Sequence, residues 1–296
     1  MTIGIVGNTA KPETLEVTKR LSSLLAKKGV SIVFHDDLAK AFQSSNLFPS
    51  KLKMTTAGDS DLAPASDLVV ALGGDGTMLA AARIVGEQEI PILGINLGKL
   101  GFLAEVSVEE MPQCVDEILE GKYLVEDRMV LQAVAGTQSK KYFSLNEIVI
   151  DKGASARVID LETYVNNDYL VTYTADGIML TTPTGSTGYS LATGGPLVAP
   201  QSNVIVINPM APHTLTARAV IVPDTSVIKI AVKAASKSVH IAADGQVEGF
   251  YDVPAEFEIR KANHTIKLVK RKKRTFYDLL RTKLMWGRDV RLGGKK

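Results

Sequence analysis

The stretch Leu68-Val69-Val70-Ala71-Leu72-Gly73-Gly74-Asp75-Gly76-Thr77-Met78-Leu79-Ala80-Ala81-Ala82-Arg83-Ile84 decides how the first part of the chain is read. Its first five residues form an apolar, β-branched run, the pattern of a buried strand. Its last seven are alanine-rich and read as a helix. The glycine-rich turn between them lets backbone N–H groups approach an anionic ligand at a helix N-terminus. Asp75 is out of place if the turn only cradles phosphate, because a fixed carboxylate repels it. Two tasks suit it: holding a metal ion, or taking the proton from a hydroxyl that attacks a phosphate. The plain alternative is an ordinary strand–turn–helix loop with aspartate as a cap.

Around this turn, strands and helices alternate. Residues 3–6 read as a strand, and 12–28 as a helix with Pro12 near its start and Gly29 past its end. Val17, Leu21, Leu24 and Leu25 share one face of that helix. Residues 30–34 and 92–95 give further strands, and Ser107-Val108-Glu109-Glu110 has the spacing of a capping box opening a helix toward Gly121. The alternation predicts a Rossmann-like, mostly parallel sheet covered on both faces. Ligands then lie outside the strand C-termini, where the turn 73–77 falls. Residues 36–64 show no clear period and read as a loop with some helix.

Near residue 125 the pattern turns almost wholly β. Strands are expected at 131–135, 145–150, 158–165, 169–173, 178–182, 204–208, 227–232, 239–243, 257–260 and 266–269, with a turn at Asn166-Asn167-Asp168. Many short strands with turns predict a sandwich. The chain thus divides into an α/β domain at 1–125 and an all-β, sandwich-like domain at 126–272. The tail 273–296 turns helical, with Phe276, Leu279, Leu280 and Lys283 at helical spacing, and is expected to pack back on the first domain. In the β part, Asp176-Gly177 opens a strand running into Thr181-Thr182-Pro183-Thr184-Gly185-Ser186-Thr187-Gly188-Tyr189-Ser190. Small hydroxyl residues and glycines let a backbone approach a base or ribose and supply donors. Tyr189 is either an aromatic wall or a structural tyrosine at a sheet edge.

Composition narrows the class. The 296 residues are 45% hydrophobic and 22% charged, ordinary for a globular protein, and the net charge of +2 gives no global reason to expect nucleic acid. Cys114 is the sole cysteine, so no internal disulfide forms, which suits a reducing cytoplasm. The first residues lack a signal-peptide pattern and no apolar run approaches bilayer length, so a cytoplasmic location without membrane contact is expected. His35, His213, His240 and His264 are isolated and lack metal-site spacing. The basic run Lys267-Leu268-Val269-Lys270-Arg271-Lys272-Lys273-Arg274 has no aromatic platform beside it. It reads as a solvated connection rather than a nucleic-acid surface.

Gly73-Gly74-Asp75-Gly76-Thr77, Asn146-Glu147, the 176–189 block, Asn208-Pro209-Met210-Ala211-Pro212-His213-Thr214-Leu215 and Ala243-Asp244-Gly245-Gln246 follow one another in an order that resembles the NAD kinase family. The resemblance runs from Ile3 through Phe276-Tyr277-Asp278-Leu279-Leu280-Arg281-Thr282-Lys283-Leu284, nearly the whole chain. It implies transfer of the terminal phosphate of ATP to the 2′-hydroxyl of the adenosine ribose of NAD, giving NADP and ADP. It also implies an α/β N-terminal and a β C-terminal domain with the site between them. On the family pattern Asp75 is the base that takes the hydroxyl proton, with Gly76 beside the substrate. Asn146 and Glu147 resemble the pair that binds ribose hydroxyls, and Asp176 the carboxylate that accepts from the dinucleotide's amino or amide groups. Thr187, Gly188, Tyr189, Ser190, Leu191 and Ala192 resemble the adenine-pocket wall, with Phe102 as an aromatic neighbour. Arg157, Thr174, Ala211 and Gln246 fall on further ligand positions. A divalent metal cation, Mg²⁺, is the implied cofactor, with its ligands unassigned, and a homodimer or homotetramer the implied assembly.

Three positions depart from the commonest family pattern. Gly188 replaces a usual alanine, Ala219 a frequent proline, and Thr174 the arginine or histidine of some members. The missing cation at Thr174 leads us to expect inorganic polyphosphate as a second donor. Two other functions share parts of the pattern. A lipid or sugar kinase shares Gly-Gly-Asp-Gly-Thr, but Gly94-Ile95-Asn96-Leu97-Gly98-Lys99-Leu100-Gly101-Phe102 fits the NAD kinases better. A non-catalytic nucleotide sensor on the same fold would have no need of Asp75.

Overall fold

The apolar runs of the first hundred residues become parallel strands. Leu68–Leu72 is buried at every position and lies between Thr2–Gly7 and Ile92–Asn96. Thr2–Gly7 pairs on its other side with Ser31–His35, and that strand with Thr56–Ala57. Ile92–Asn96 pairs further with Val106–Ser107 and, through Leu268, with the end of Ala255–Lys270. Each of these pairings is parallel. Neighbours of Thr2–Gly7 on its two sides come from connections running in opposite directions, so a crevice opens at the carboxyl ends of Thr2–Gly7 and Leu68–Leu72.

The computed structural model describes residues 1–48, 54–98, 101–136, 140–233, 238–270 and 275–286. The chain divides into one unit of Met1–Glu126 with Lys267–Lys296 and a second of Asp127–Ile266. Lys99, Leu100, residues 271–274 of the basic run and the tail from 287 lie outside the described residues.

In the first unit, Glu13–Lys27 buries Val17, Leu21 and Leu25 in a core with Phe34 and Leu38. It stops at Gly29, whose φ of 70° is the left-handed conformation that ends helices. The segment read as a loop with some helix begins with the helix Asp36–Gln43, directly after a strand. It is two turns long and capped by His35 Nδ1, which accepts the Asp37 N–H at 3.4 Å, so neither periodicity nor a usual capping residue marks it. Phe42 fixes it in the core, 6.0 Å from Phe34 and 5.4 Å from Phe48 between ring centroids. A short strand, Thr56–Ala57, and a turn of helix, Asp59–Leu62, follow. The Ser107–Glu110 box makes both reciprocal bonds, at 3.0 and 3.3 Å, but closes a turn. The helix Met111–Leu119 starts after it, with Pro112 in the first turn where its missing N–H costs nothing. The terminal helix Phe276–Lys283 is capped by a second reciprocal pair, Thr275 and Asp278, and buries Leu279 and Leu280.

The second unit is built of antiparallel strands. One sheet runs Asp168–Ala175, Ile159–Val165, Ile228–Val232, Ala255–Lys270. The other runs Val220–Pro223, Val204–Met210, Gly177–Thr181, Glu147–Asp151, Ser238–Ala243, Val247–Asp252. Leu161, Ile230 and Phe257 of the first and Ile148, Ile178, Leu180 and Ile241 of the second share one core, the arrangement of a sandwich. Leu124–Ala135 and Lys140–Ser144 form a hairpin whose Leu131 and Tyr142 enter that core. Asn166 and Asn167 both take positive φ, 52° and 71°, as a tight hairpin turn between twisted strands requires.

Two sequence readings are corrected here. The strands expected at 257–260 and 266–269 are one, Ala255–Lys270, because polar residues at its centre still alternate with buried ones. Its last residues include Lys267 and Lys270, so this part of the basic run is sheet rather than a solvated connection. Lys267 pairs with Glu89 at 3.1 Å and Lys270 with Glu105. Lys140–Ser144, Val220–Pro223 and Val247–Asp252 were not expected as strands. The last two are edges, where charge, Gly249 and Pro223 are tolerated and hide the alternation. No helix among the described residues is long and apolar enough to cross a membrane.

Candidate active site

In the first unit a cavity of about 530 Å³ opens at the crevice between the ends of Thr2–Gly7 and Leu68–Leu72. The first strand contributes Gly7 and Asn8, and the glycine turn Gly74, Gly76 and Thr77. Lys11, Asp37, Asp59 and Arg83 bring charge to its walls, and His35 an imidazole ring. Asn8 joins the two strand ends, its N–H donating to Leu72 O at 3.1 Å. His35 is oriented from both sides. With Nδ1 accepting from the Asp37 backbone, the ring proton sits on Nε2 and donates to Asp59 Oδ1 at 2.7 Å. Arg83 lies 3.8 Å from the other oxygen of Asp59.

The turn itself is fixed by packing. A Cβ on Gly73 would overlap Thr77 Oγ1, so only glycine lets the turn close over the helix start. Asp75 is the first residue of the helix Asp75–Val85, where the helix dipole favours a carboxylate. Its side chain reaches across to a second loop. Oδ2 accepts the N–H of Phe102 at 2.9 Å, and Oδ1 those of Leu103 at 3.0 Å and Ala104 at 3.2 Å. The loop comes this close because Gly101 has no side chain; a Cβ there would overlap Asp75 Oδ1. Asp75 is thus half-buried and held by three backbone donors, beside exposed Gly76 and half-buried Phe102. Lys283 of the terminal helix places its ammonium 5.0 Å from the Phe102 ring centroid, within cation–π range.

In the second unit Glu147 begins the central strand Glu147–Asp151 and Asn146 precedes it. Glu147 is 7% exposed, and its Oε2 is buried without a hydrogen-bond partner. Burial pushes its carboxyl up to about 7, and the neighbouring Asp244 carboxylate adds to the shift. Burial raises Asp244 as well, while donors from Ser144, Leu145, Asn146 and Glu147 draw it back. The loop 182–188 lies directly over this pair. A Cβ on Gly185 would overlap the Asn146 carbonyl, and one on Gly188 would stand 3.5 Å from Asn146 Nδ2 and 3.6 Å from Glu147 Oε2. Asn146, Glu147 and Gly188 are therefore together.

Asp176 and Thr174 form a second group. Asp176 Oδ1 meets Lys152 Nζ at 2.6 Å, and its N–H donates to Met210 O, next to Ala211. Thr174 donates its hydroxyl to Asp160 at 2.6 Å and accepts the His213 N–H on its carbonyl. Ala211 takes a positive φ of 46°. In the 187–192 segment Tyr189 is half exposed, Gly188 and Ala192 are exposed, Thr187 and Leu191 half-buried, and Ser190 fully buried against Gly195. Arg157 and Gln246 stand at the surface. Sequence reasoning missed Lys11, His35, Asp59 and Arg83, which come from separate elements and carry no motif. The position of Asn8 and Lys11 after the first strand was the available signal.

Residues 3–123 match the family model of the ATP-NAD kinase N-terminal domain and residues 145–271 that of the C-terminal domain. An NAD kinase of Geobacter sp. (strain M21) is 42% identical over 289 residues, covering 96% of this chain and 98% of that protein. One from Bacteroides fragilis (strain ATCC 25285) is 41% identical over 298 residues, covering 99% of this chain and all, 100%, of the other. Among solved structures, yeast NADH kinase complexed with NADH superposes with a TM-score of 0.92 at 26% identity, covering 99% of this chain and 89% of that one. An NAD kinase from Archaeoglobus fulgidus in complex with ATP gives a TM-score of 0.73 at 26% identity, covering 95% of this chain and 97% of that one.

Proposed function

The chain belongs to the NAD kinase family, and on that premise we propose how its residues carry out the ATP-dependent phosphorylation of NAD. The observation that carries the proposal is Asp75, a carboxylate locked by three backbone N–H donors beside a switch-point cavity. ATP enters that cavity with its phosphates toward the glycine turn and the helix N-terminus, and Lys11 and Arg83 offset their charge. Asn146 and Glu147 take ribose hydroxyls of NAD. Glu147 Oε2, buried and unpartnered, is the acceptor that a hydroxyl donor would satisfy.

Phosphoryl transfer asks the protein mainly for position and charge. Asp75 Oδ2 accepts a single N–H and so keeps a lone pair for the 2′-hydroxyl proton. As that proton moves to Asp75, the ribose oxygen forms its bond to the terminal phosphorus of ATP. The bond to the bridging oxygen breaks, and ADP leaves. A Mg²⁺ ion brought in with the donor phosphates would have Asp75, at the start of the helix after the glycine turn, as a carboxylate to hold it. When bound, the ion neutralises charge on those phosphates. Asp176, Thr174, Arg157, Ala211, Gln246 and the segment 187–192 complete the dinucleotide contacts in this proposal.

The same proposal extends to donor, assembly and compartment. Thr174, which carries no cation, admits inorganic polyphosphate; activity confined to ATP in a parallel donor assay would remove that element. The enzyme is a homodimer or homotetramer, and a monomeric mass by light scattering across micromolar concentrations would contradict it. It works in the cytoplasm, where lone, buried Cys114 stays reduced. Incubating the purified protein with NAD, ATP and Mg²⁺ and measuring NADP tests the core of the reading.

A further inference from the structure

Asp244 is on none of the ligand positions above, yet it holds two that are. Its Oδ1 accepts the Ser144 hydroxyl at 2.7 Å and the backbone N–H groups of Asn146 at 2.7 Å and Glu147 at 3.2 Å. Its Oδ2 accepts the N–H of Leu145 at 2.9 Å. The Asp244 N–H in turn donates to Glu147 O at 3.0 Å. Thr182 takes the other carbonyls, its N–H donating to Asn146 O at 2.9 Å and its hydroxyl to Leu145 O at 2.6 Å. Every backbone donor and acceptor from Leu145 to Glu147 is therefore held from outside the segment, and no peptide in it can rotate without breaking one of these bonds.

This arrangement has a cost that packing alone does not require. Asp244 takes a left-handed backbone, φ 52°, and sets a second carboxylate beside buried Glu147. Like charges in a buried site destabilise one another, and an amide or apolar side chain would avoid the conflict. A carboxylate is the side chain whose two oxygens can gather four donors without offering a proton of its own. With four donors already bound, it has little capacity left for a ligand. Its effect passes to Asn146 and Glu147, whose side chains point toward the space beside Gly188.

We propose that Asp244 is a positioning residue for the dinucleotide: it fixes the backbone of Asn146 and Glu147, and through it the direction in which their side chains meet the ribose hydroxyls. The inference rests on the reading of NAD as the ligand of that pair. Asp244→Asn keeps the volume and one acceptor oxygen but turns an amide toward a backbone N–H. The KM for NAD should rise about tenfold, with the KM for ATP unchanged and kcat altered by less than about threefold. Asp244→Ala should raise the KM for NAD further; if it does not fold, the asparagine variant decides. In an Asn146→Ala, Glu147→Gln background the effect of Asp244→Asn on NAD binding, read by calorimetry, should shrink to less than about twofold, because the groups it positions are gone. A purely structural Asp244 would lower Tm and leave the KM for NAD of the folded enzyme unchanged, and that result overturns the proposal. An undiminished effect in the double-variant background overturns it too. Absence of NADP formation by the wild-type enzyme would instead sink the underlying reading of the substrate.

Discussion

Replacing Asp75 with asparagine separates holding the loop from moving the proton. The wild-type carboxylate accepts from Phe102, Leu103 and Ala104 at 2.9, 3.0 and 3.2 Å. An amide oxygen in the place of Oδ1 can keep the last two, now as neutral bonds, while its NH₂ faces the Phe102 N–H. One charge-assisted bond is lost, about 1.5–3 kcal/mol of local stability. The chemical loss is larger. Removing a general base lowers rate by roughly 10²–10⁴-fold, about 3–5 kcal/mol of barrier. Asp75→Asn should therefore fold with a lower Tm and still bind NAD, while kcat at saturating NAD and ATP collapses. The assay is NADP formation followed with an NADP-specific dehydrogenase, with unfolding curves in parallel. Gly101→Ala is the companion, since its Cβ overlaps Asp75 Oδ1 and must displace a carboxylate that is still present. It should also lower kcat. A near wild-type kcat for Asp75→Asn would refute the base; a normal kcat for Gly101→Ala would refute the need for the locked geometry.

Two further outcomes follow from the charges. Glu147 titrates at about 7 in the folded chain against 4.5 for a free carboxyl, so between those values the folded state holds the extra proton. Stability without ligand should then fall as pH rises from about 4.5 through about 7, by on the order of 3 kcal/mol, and level off above. Glu147→Gln should flatten that decline, gaining on wild type at pH 8 relative to pH 5; equal Tm differences at the two pH values would contradict it. Lys11 lines the cavity assigned to ATP. Lys11→Ala should raise the KM for ATP about tenfold at unchanged KM for NAD, and a selective effect on NAD would place the donor elsewhere.

The legible parts of this molecule are those set by neighbours in sequence. Leu68–Leu72 was bounded correctly because five apolar residues end at paired glycines, and a strand buried on both faces needs no alternation. The Asn166-Asn167 turn was read from residues that tolerate positive φ. Asp36–Gln43 was not, because what makes it a helix is Phe42 packing into a tertiary core. At the site the division is the same. Asp75 announces itself by an improbable carboxylate in a phosphate-type turn, but its partners at 102–104 are supplied by a distant loop. The hold of Asp244 on residues 144–147 spans nearly a hundred positions. Lys11, His35, Asp59 and Arg83 converge only once the parallel order of strands is known.

The central claim is a phosphoryl transfer to the 2′-hydroxyl of NAD with Asp75 as proton acceptor. The most direct measurement is the product itself: wild-type and Asp75→Asn proteins incubated with NAD, ATP and Mg²⁺, with the phosphorylated position read by ³¹P and ¹H NMR. The account predicts ADP and NADP phosphorylated at the adenosine 2′ position from wild type, and at least about a hundredfold less from the variant. Phosphorylation at any other hydroxyl, or equal product from both proteins, would contradict it.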